Sequence, residues 1–161
     1  MKTTTRCRIC FPIAAMILTA ALATPAAAQT KVPFKGSFQG NDTIAAPTIT
    51  TSGTGNASLV GKVSLTNTLT LTSQSGGTGT GHWVAANGDA INTTFVASGL
   101  PSDDFLIVTE VHTITGGTGR FAGAQGTITL LRKHVLTPNK DETHFTWGSF
   151  EGNITPPGAA H

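Results

Sequence analysis

Past residue 28 no stretch of this chain carries a helical period; short β-prone runs follow one another, separated by glycine, proline or asparagine turn signals. "VPFKGSFQGN" (32–41) places Val32, Phe34 and Phe38 on one parity. The next segment, "DTIAAPTITTSGTGN", holds Pro47 and paired glycines and reads as loose. "ASLVGKVSLTNTLTLTS" (57–73) is one long strand or two, bent near Gly61, with strict alternation at Leu65, Asn67, Leu69 and Leu71. In "GHWVAANGDAINTTFVASG" (81–99), Asn87-Gly88 is the preferred centre of a type I′ hairpin. A two-residue loop there pairs Ala86 with Asp89, Val84 with Ile91 and His82 with Thr93. "DFLIVTEVHTIT" (104–115) is the most apolar strand, and 126–137 and 142–155 form a hairpin across "PNKD".

Seven or eight antiparallel strands with alternating faces close into a barrel or pack as a sandwich. "GSFQGN" (36–41) recurs as "GSFEGN" (148–153), which suits a barrel whose first and last strands become neighbours. Closure also removes exposed edges from a Thr-rich chain with few charges to protect them. The expected fold is all-β, a closed antiparallel barrel of about eight strands.

The N-terminal residues read differently. Lys2, Arg6 and Arg8 precede the apolar run "ICFPIAAMILTAALA", and "PAAA" before Gln29 supplies the small side chains of a cleavage site. Residues 1–28 are expected to be a signal peptide of bacterial type. A retained anchor is the alternative, although the run falls short of the roughly 20 residues a membrane span needs. The exported part is then one domain, 29–155, with a Pro/Gly tail over 156–161, secreted or periplasmic and off the membrane once cleaved. The chain has 10 Lys+Arg and 8 Asp+Glu; without the three leader cations the balance is about −1, so no basic footprint for nucleic acid remains. Cys7 and Cys10 also lie in the leader, which leaves the domain no disulfide or thiol chemistry.

"ITGGTGRFAGAQGTITL" (114–130) invites a phosphate-loop reading, but Gln125-Gly126-Thr127 offers no P-loop lysine and "GTITLL" continues as strand rather than helix. A corner suits the residues better. Gly116, Gly117 and Gly119 permit a tight reversal, Phe121 can tuck into the core, and Gly123 and Gly126 let the chain kink back into the sheet. Asn87 and Gly88 are the other turn-forming pair.

"GGTGRFAGAQG" resembles the signature string of the allene oxide cyclase and dirigent superfamily. The order of "ASLVGKVS", "AANGDAI", that string and "GSFEGNIT" is similar to small secreted bacterial proteins of the same barrel type, mostly of unassigned function. The resemblance implies a calycin-like, eight-stranded barrel with an interior pocket, and a homo-oligomer, trimer or dimer. It carries over no catalytic residue, because the activities of the superfamily depend on pocket positions outside the shared string.

Four polar residues and a tryptophan stand out as ligand-binding candidates. Glu110 and His112 share a strand face with Leu106, Val108 and Ile114; turned inward, a carboxylate and an imidazole would meet in a low-dielectric cavity suited to acid-base chemistry, and turned outward they would be solvated. Arg132 and His134 form a similar pair. A symmetric "PNKD" register sets Arg132 opposite Trp147 and His134 opposite Phe145, either as an outer cross-strand pair or as the polar end of an aromatic pocket. The five histidines show no metal-ligand spacing, and neither a metal nor another cofactor is expected. The leading expectation is a barrel that binds a small apolar molecule without transforming it. A cyclase or isomerase of a lipid- or phenol-derived substrate, and a structural surface protein, are the alternatives.

Overall fold

The computed structural model describes residues 30–158; residues 1–28, expected to be a signal peptide, Gln29 and residues 159–161 lie outside the described residues. Eight strands follow in order: β1 (Val32–Ala45), β2 (Thr48–Ala57), β3 (Gly61–Leu71), β4 (Gly76–Ala85), β5 (Ala90–Ser102), β6 (Phe105–Gly117), β7 (Gly126–Val135) and β8 (His144–Ile154). Each pairs antiparallel with the next, and β8 pairs with β1, so the sheet closes into a barrel. Alternation is close to strict: on β3, Val63, Leu65, Asn67 and Leu69 are buried while Ser64, Thr66 and Thr68 face out.

The repeated hexapeptide sits at the seam. Gly36 lies opposite Phe150, Ser37 opposite Ser149, and Phe38 opposite Gly148. Each inward phenylalanine thus faces a glycine across the seam, which leaves its ring the room that a second side chain would take. A Cβ on Gly36 would stand 2.5 Å from the Phe150 ring. Glycine and aromatic alternate so that an eight-stranded interior, only wide enough for side chains, is filled without overlap.

The two ends of the barrel differ. One is sealed by the corner after β6: Gly119 has φ +55°, a conformation only glycine adopts readily, and begins a 3-10 turn, Gly119–Phe121. That turn drops Phe121 into a cluster with Phe34, Trp83, Ile91, Ile114, Phe150 and Ile154, and Phe121 is only 1% exposed. The other end, formed by the turns after β1, β3, β5 and β7, carries a smaller cluster of Leu69, Phe95, Ala97 and Val108. Between the two clusters runs a band of buried polar side chains.

Four local expectations are corrected. Residues 42–56, expected to be loose, complete β1 and form nearly all of β2, on which Thr51, Gly53, Gly55 and Ala57 share the inward parity while Ser52, Thr54 and Asn56 face out. β4 begins at Gly76, several residues before the expected start at Gly81. The Asn87-Gly88 turn is a three-residue loop, with Gly88 N–H bonded to Ala85 O and Ala85 N–H to Asp89 O. Gly88 takes φ +88°, and Val84 faces Ala90, Trp83 faces Ile91 and His82 faces Asn92. The extra residue keeps Trp83 and Ile91 on the inner face together. Finally, β7 and β8 are joined by residues 136–143, longer than "PNKD", and the register places Arg132 opposite Gly148 and His134 opposite Thr146.

Candidate functional site

The polar band is a single hydrogen-bonded chain across the inside of the barrel. At its centre Arg132 on β7 bridges two carboxylates: Nε donates to Glu110 Oε1 on β6 at 2.8 Å, and Nη1 to Asp42 Oδ2 on β1 at 2.6 Å and to Thr146 Oγ1 on β8 at 3.1 Å. Glu110 Oε2 also accepts from Asn67 Nδ2 and from His112 Nε2, both at 3.0 Å. Asn67 Oδ1 accepts from Trp83 Nε1 at 2.9 Å, and His112 Nδ1 meets Thr93 Oγ1 at 2.9 Å. On the mouth side, Asp42 accepts from the Thr51 hydroxyl and from His134 Nδ1, the latter at 2.6 Å.

Glycines make room for this chain. A Cβ on Gly81 would come within 2.5 Å of Thr93 Oγ1 and 2.8 Å of Asn67 Oδ1, and one on Gly148 within 2.8 Å of Arg132 Cβ. The small positions of β4 and β8 are the space that the polar side chains of β3, β5 and β7 occupy.

Burial alone would raise both carboxyls. For Asp42, the His134 hydrogen bond, the Arg132 charge and the Thr51 bond outweigh it and hold the group below its ordinary range. For Glu110 the Arg132 charge and the His112 hydrogen bond do the same. Arg132, which burial would lower, is held above its usual value by the charges of Glu110 and Asp42. Both acids are therefore ionised at neutral pH. With neutral imidazoles, the buried group of two carboxylates and one guanidinium carries a net −1.

The ionised carboxylates also assign the histidine protons, because they can only accept. His112 donates from Nε2 to Glu110, and its Nδ1 is occupied by Thr93. Both of its nitrogens are committed, and it lies between Trp83 and Phe95, with ring centroids at 5.4 and 4.5 Å. His134 differs: Nδ1 donates to Asp42, while Nε2 has no partner among the described residues. No fully buried side-chain nitrogen or oxygen among the described residues lacks a hydrogen-bond partner, so Nε2 is not sealed off. The same holds for Arg132 Nη2. The His134 ring is stacked on His144 at 4.9 Å, and His144 is itself held by Nδ1 on Val135 O at 2.9 Å.

His134, Arg132 and Asp42 form the polar floor of a cavity of about 50 Å³ at the open end, walled by Ile49, Leu69, Leu71, Ala97, Leu106 and Val108. That space holds a few water molecules or one small functional group, well below the several hundred Å³ typical of drug-sized ligands. Larger hollows, up to about 540 Å³, are open grooves on the outer wall, one of them bordered by Lys35, Thr109, Leu131 and Glu151.

Of the expected site residues, Glu110, His112, Arg132 and His134 all point inward and belong to this one network. Trp147 does not. It stands on the outer wall opposite Lys133, against Phe145 and Phe105 at centroid distances of 5.4 and 5.5 Å. A cation–π contact on this wall joins Lys133 and Phe105, at 5.2 Å, and Arg132 and Trp147, expected opposite each other, lie on different faces. The longer loop shifts the register by one residue, and one residue exchanges the inner and outer faces. Asp42 was missed, although it shares its parity with Phe34 and Phe38 and lies one residue past the expected strand end. Asn67 carried a visible signal, a lone amide within an inward row of leucines. Compared with protein-family models, with curated proteins and with solved structures, the chain matches none.

Proposed function

We propose that this protein binds a small, largely apolar and uncharged molecule at the open end of its barrel, with one polar group of the ligand on Arg132 and His134. One observation carries the reading: Arg132 and His134 line an apolar-walled cavity, and Arg132 Nη2 and His134 Nε2 have no hydrogen-bond partner among the described residues. The two carboxylates that already share the Arg132 guanidinium disfavour an anionic headgroup, and the Leu69, Leu106 and Val108 walls disfavour a strongly hydrated one. The cavity volume points to a ligand whose polar end enters and whose apolar remainder lies across the hairpin mouth. Export from the cell and kinship with the allene oxide cyclase and dirigent barrels are part of the same proposal, and the eight-stranded closed barrel supports the second of these.

The test is a titration of methyl-labelled protein with 2-pentanone, sodium pentanoate and pentane, followed by NMR. Shifts at Leu69, Leu106 and Val108 are expected with the ketone first. Pentanoate should bind at least about tenfold more weakly, a difference of about 1.4 kcal/mol. No saturable shift with any of the three would overturn the reading.

A second reading rests on the outer wall, where Val96 and Val111 are paired and exposed, and Leu100 and Leu131 are exposed nearby. In that reading the barrel is a spacer and this apolar strip joins copies of the chain. Sedimentation showing a fixed oligomer that Val96→Lys dissolves would favour it.

A further inference from the structure

We propose that the mouth site also transfers protons: His134 acts as the base and Arg132 as the oxyanion donor toward small, neutral carbonyl compounds that can enolise, converting β,γ-unsaturated ketones into their conjugated isomers. The inference rests on the binding reading above and adds chemistry to it.

The arrangement of His134 is that of an imidazole prepared to accept a proton. Its Nδ1 proton is committed to Asp42 at 2.6 Å, so in the neutral ring the lone pair lies on Nε2. Its ring is held in place by His144, which is in turn fixed by Val135 O. Asp42 is not free to swing, because Thr51 and Arg132 hold it as well. Asp42 is therefore a positioning residue, and His134 and Arg132 are the groups that would touch the substrate. His112, the other buried imidazole, has no comparable vacancy, since Glu110 and Thr93 take both nitrogens.

The charge balance favours the same direction. With neutral rings the buried cluster of Asp42, Glu110 and Arg132 sums to −1, and a proton arriving on His134 brings that sum to zero. The negative charge created on the substrate falls beside the guanidinium. Both changes occur against aliphatic walls, where fixed dipoles and charges act more strongly than in water.

The step balances without a co-reactant. His134 Nε2 takes a proton from the carbon α to the carbonyl. The C–H electron pair becomes the enolate double bond, and the charge rests on the oxygen that accepts from Arg132 Nη2–H. The imidazolium then returns a proton to the γ carbon, the double bond moves into conjugation, and the neutral ring is restored.

The experiment uses the purified protein with two probes: α-deuterium exchange of 2-pentanone in D₂O, and isomerisation of 4-penten-2-one followed by the rise in ultraviolet absorbance. A positioned general base contributes roughly 10²–10⁴-fold, so His134→Gln should lower both rates at least about 100-fold. Added imidazole should restore part of the rate in His134→Ala. On the unaltered protein, nitrogen NMR should find His134 protonated at Nδ1 and bare at Nε2, with Nε2 shifting when 2-pentanone is added. Should either variant fail to fold, this measurement still decides, because a proton on Nε2 in the neutral ring overturns the proposal. Saturable ketone binding with exchange no faster than buffer overturns the proton transfer and leaves the binding reading standing. Absence of both binding and exchange overturns the two together.

Discussion

Asp42 on the first strand and His134 on the seventh stand 92 residues apart in sequence, yet Oδ2 and Nδ1 meet at 2.6 Å inside the barrel. Neither is a neighbour of the other in the sheet. They meet because β1 pairs with β8 and β8 pairs with β7, with His144 of β8 opposite Asp42 and Thr146 opposite His134. The polar band is a product of closure.

Arg132 is the keystone of that band. Arg132→Met would leave Asp42 and Glu110 buried without their shared cation, and breaking such a cluster costs about 3–5 kcal/mol. Urea unfolding should find a loss of that size. Arg132→Lys should recover only part of it, because a single ammonium cannot bridge both carboxylates as the planar guanidinium does.

Acid should unfold the protein by protonating this cluster. Asp42 and Glu110 hold fewer protons folded than unfolded, since both sit below their ordinary values of 3.8 and 4.5. Their contribution is therefore complete above about pH 4.5 and is lost as pH falls through the lower folded-state values. The urea midpoint should decline across that range. The decline should persist at high salt, because the cluster is buried, unlike the solvated Arg120–Asp89 pair.

The glycine positions of β4 can be tested by adding one methyl group. Gly81→Ala should clash with Thr93 and Asn67 and cost about 1–3 kcal/mol, the usual range for overpacking. Thermal unfolding gives the size. The indole N–H resonance of Trp83 should move as its bond to Asn67 is disturbed.

The two tryptophans report the face assignment directly. Trp83 is 1% exposed in the core, and Trp147 stands on the outer wall. Iodide should quench Trp147 and spare Trp83, so that Trp147→Phe leaves an unquenched spectrum. Removing Phe121 instead, as Phe121→Ala, should cost about 3–5 kcal/mol and open the sealed end.

The strand content, the closed barrel, the corner at residues 116–126 and the common face of Glu110 and His112 could all be read from the chain, because period-two alternation and glycine turn chemistry are local properties; which way that face turned could not. Strand bounds failed at the Thr- and Gly-rich segments, and at the hairpins the failure was one of register. Two connections, 86–88 and 136–143, each differ from the simplest hairpin, and each single-residue shift exchanged a face. That exchange moved Trp147 outward and set a glycine, not an aromatic ring, across from Arg132. The pattern of residues by itself determined that this chain would fold as β-strands around an inner row of leucines, phenylalanines and glycines. Only the tertiary structure decided that Asp42, Glu110, Arg132 and His134 form one network with two nitrogens left open at the mouth, because closure brings together side chains whose separation along the chain carries no record of their contact.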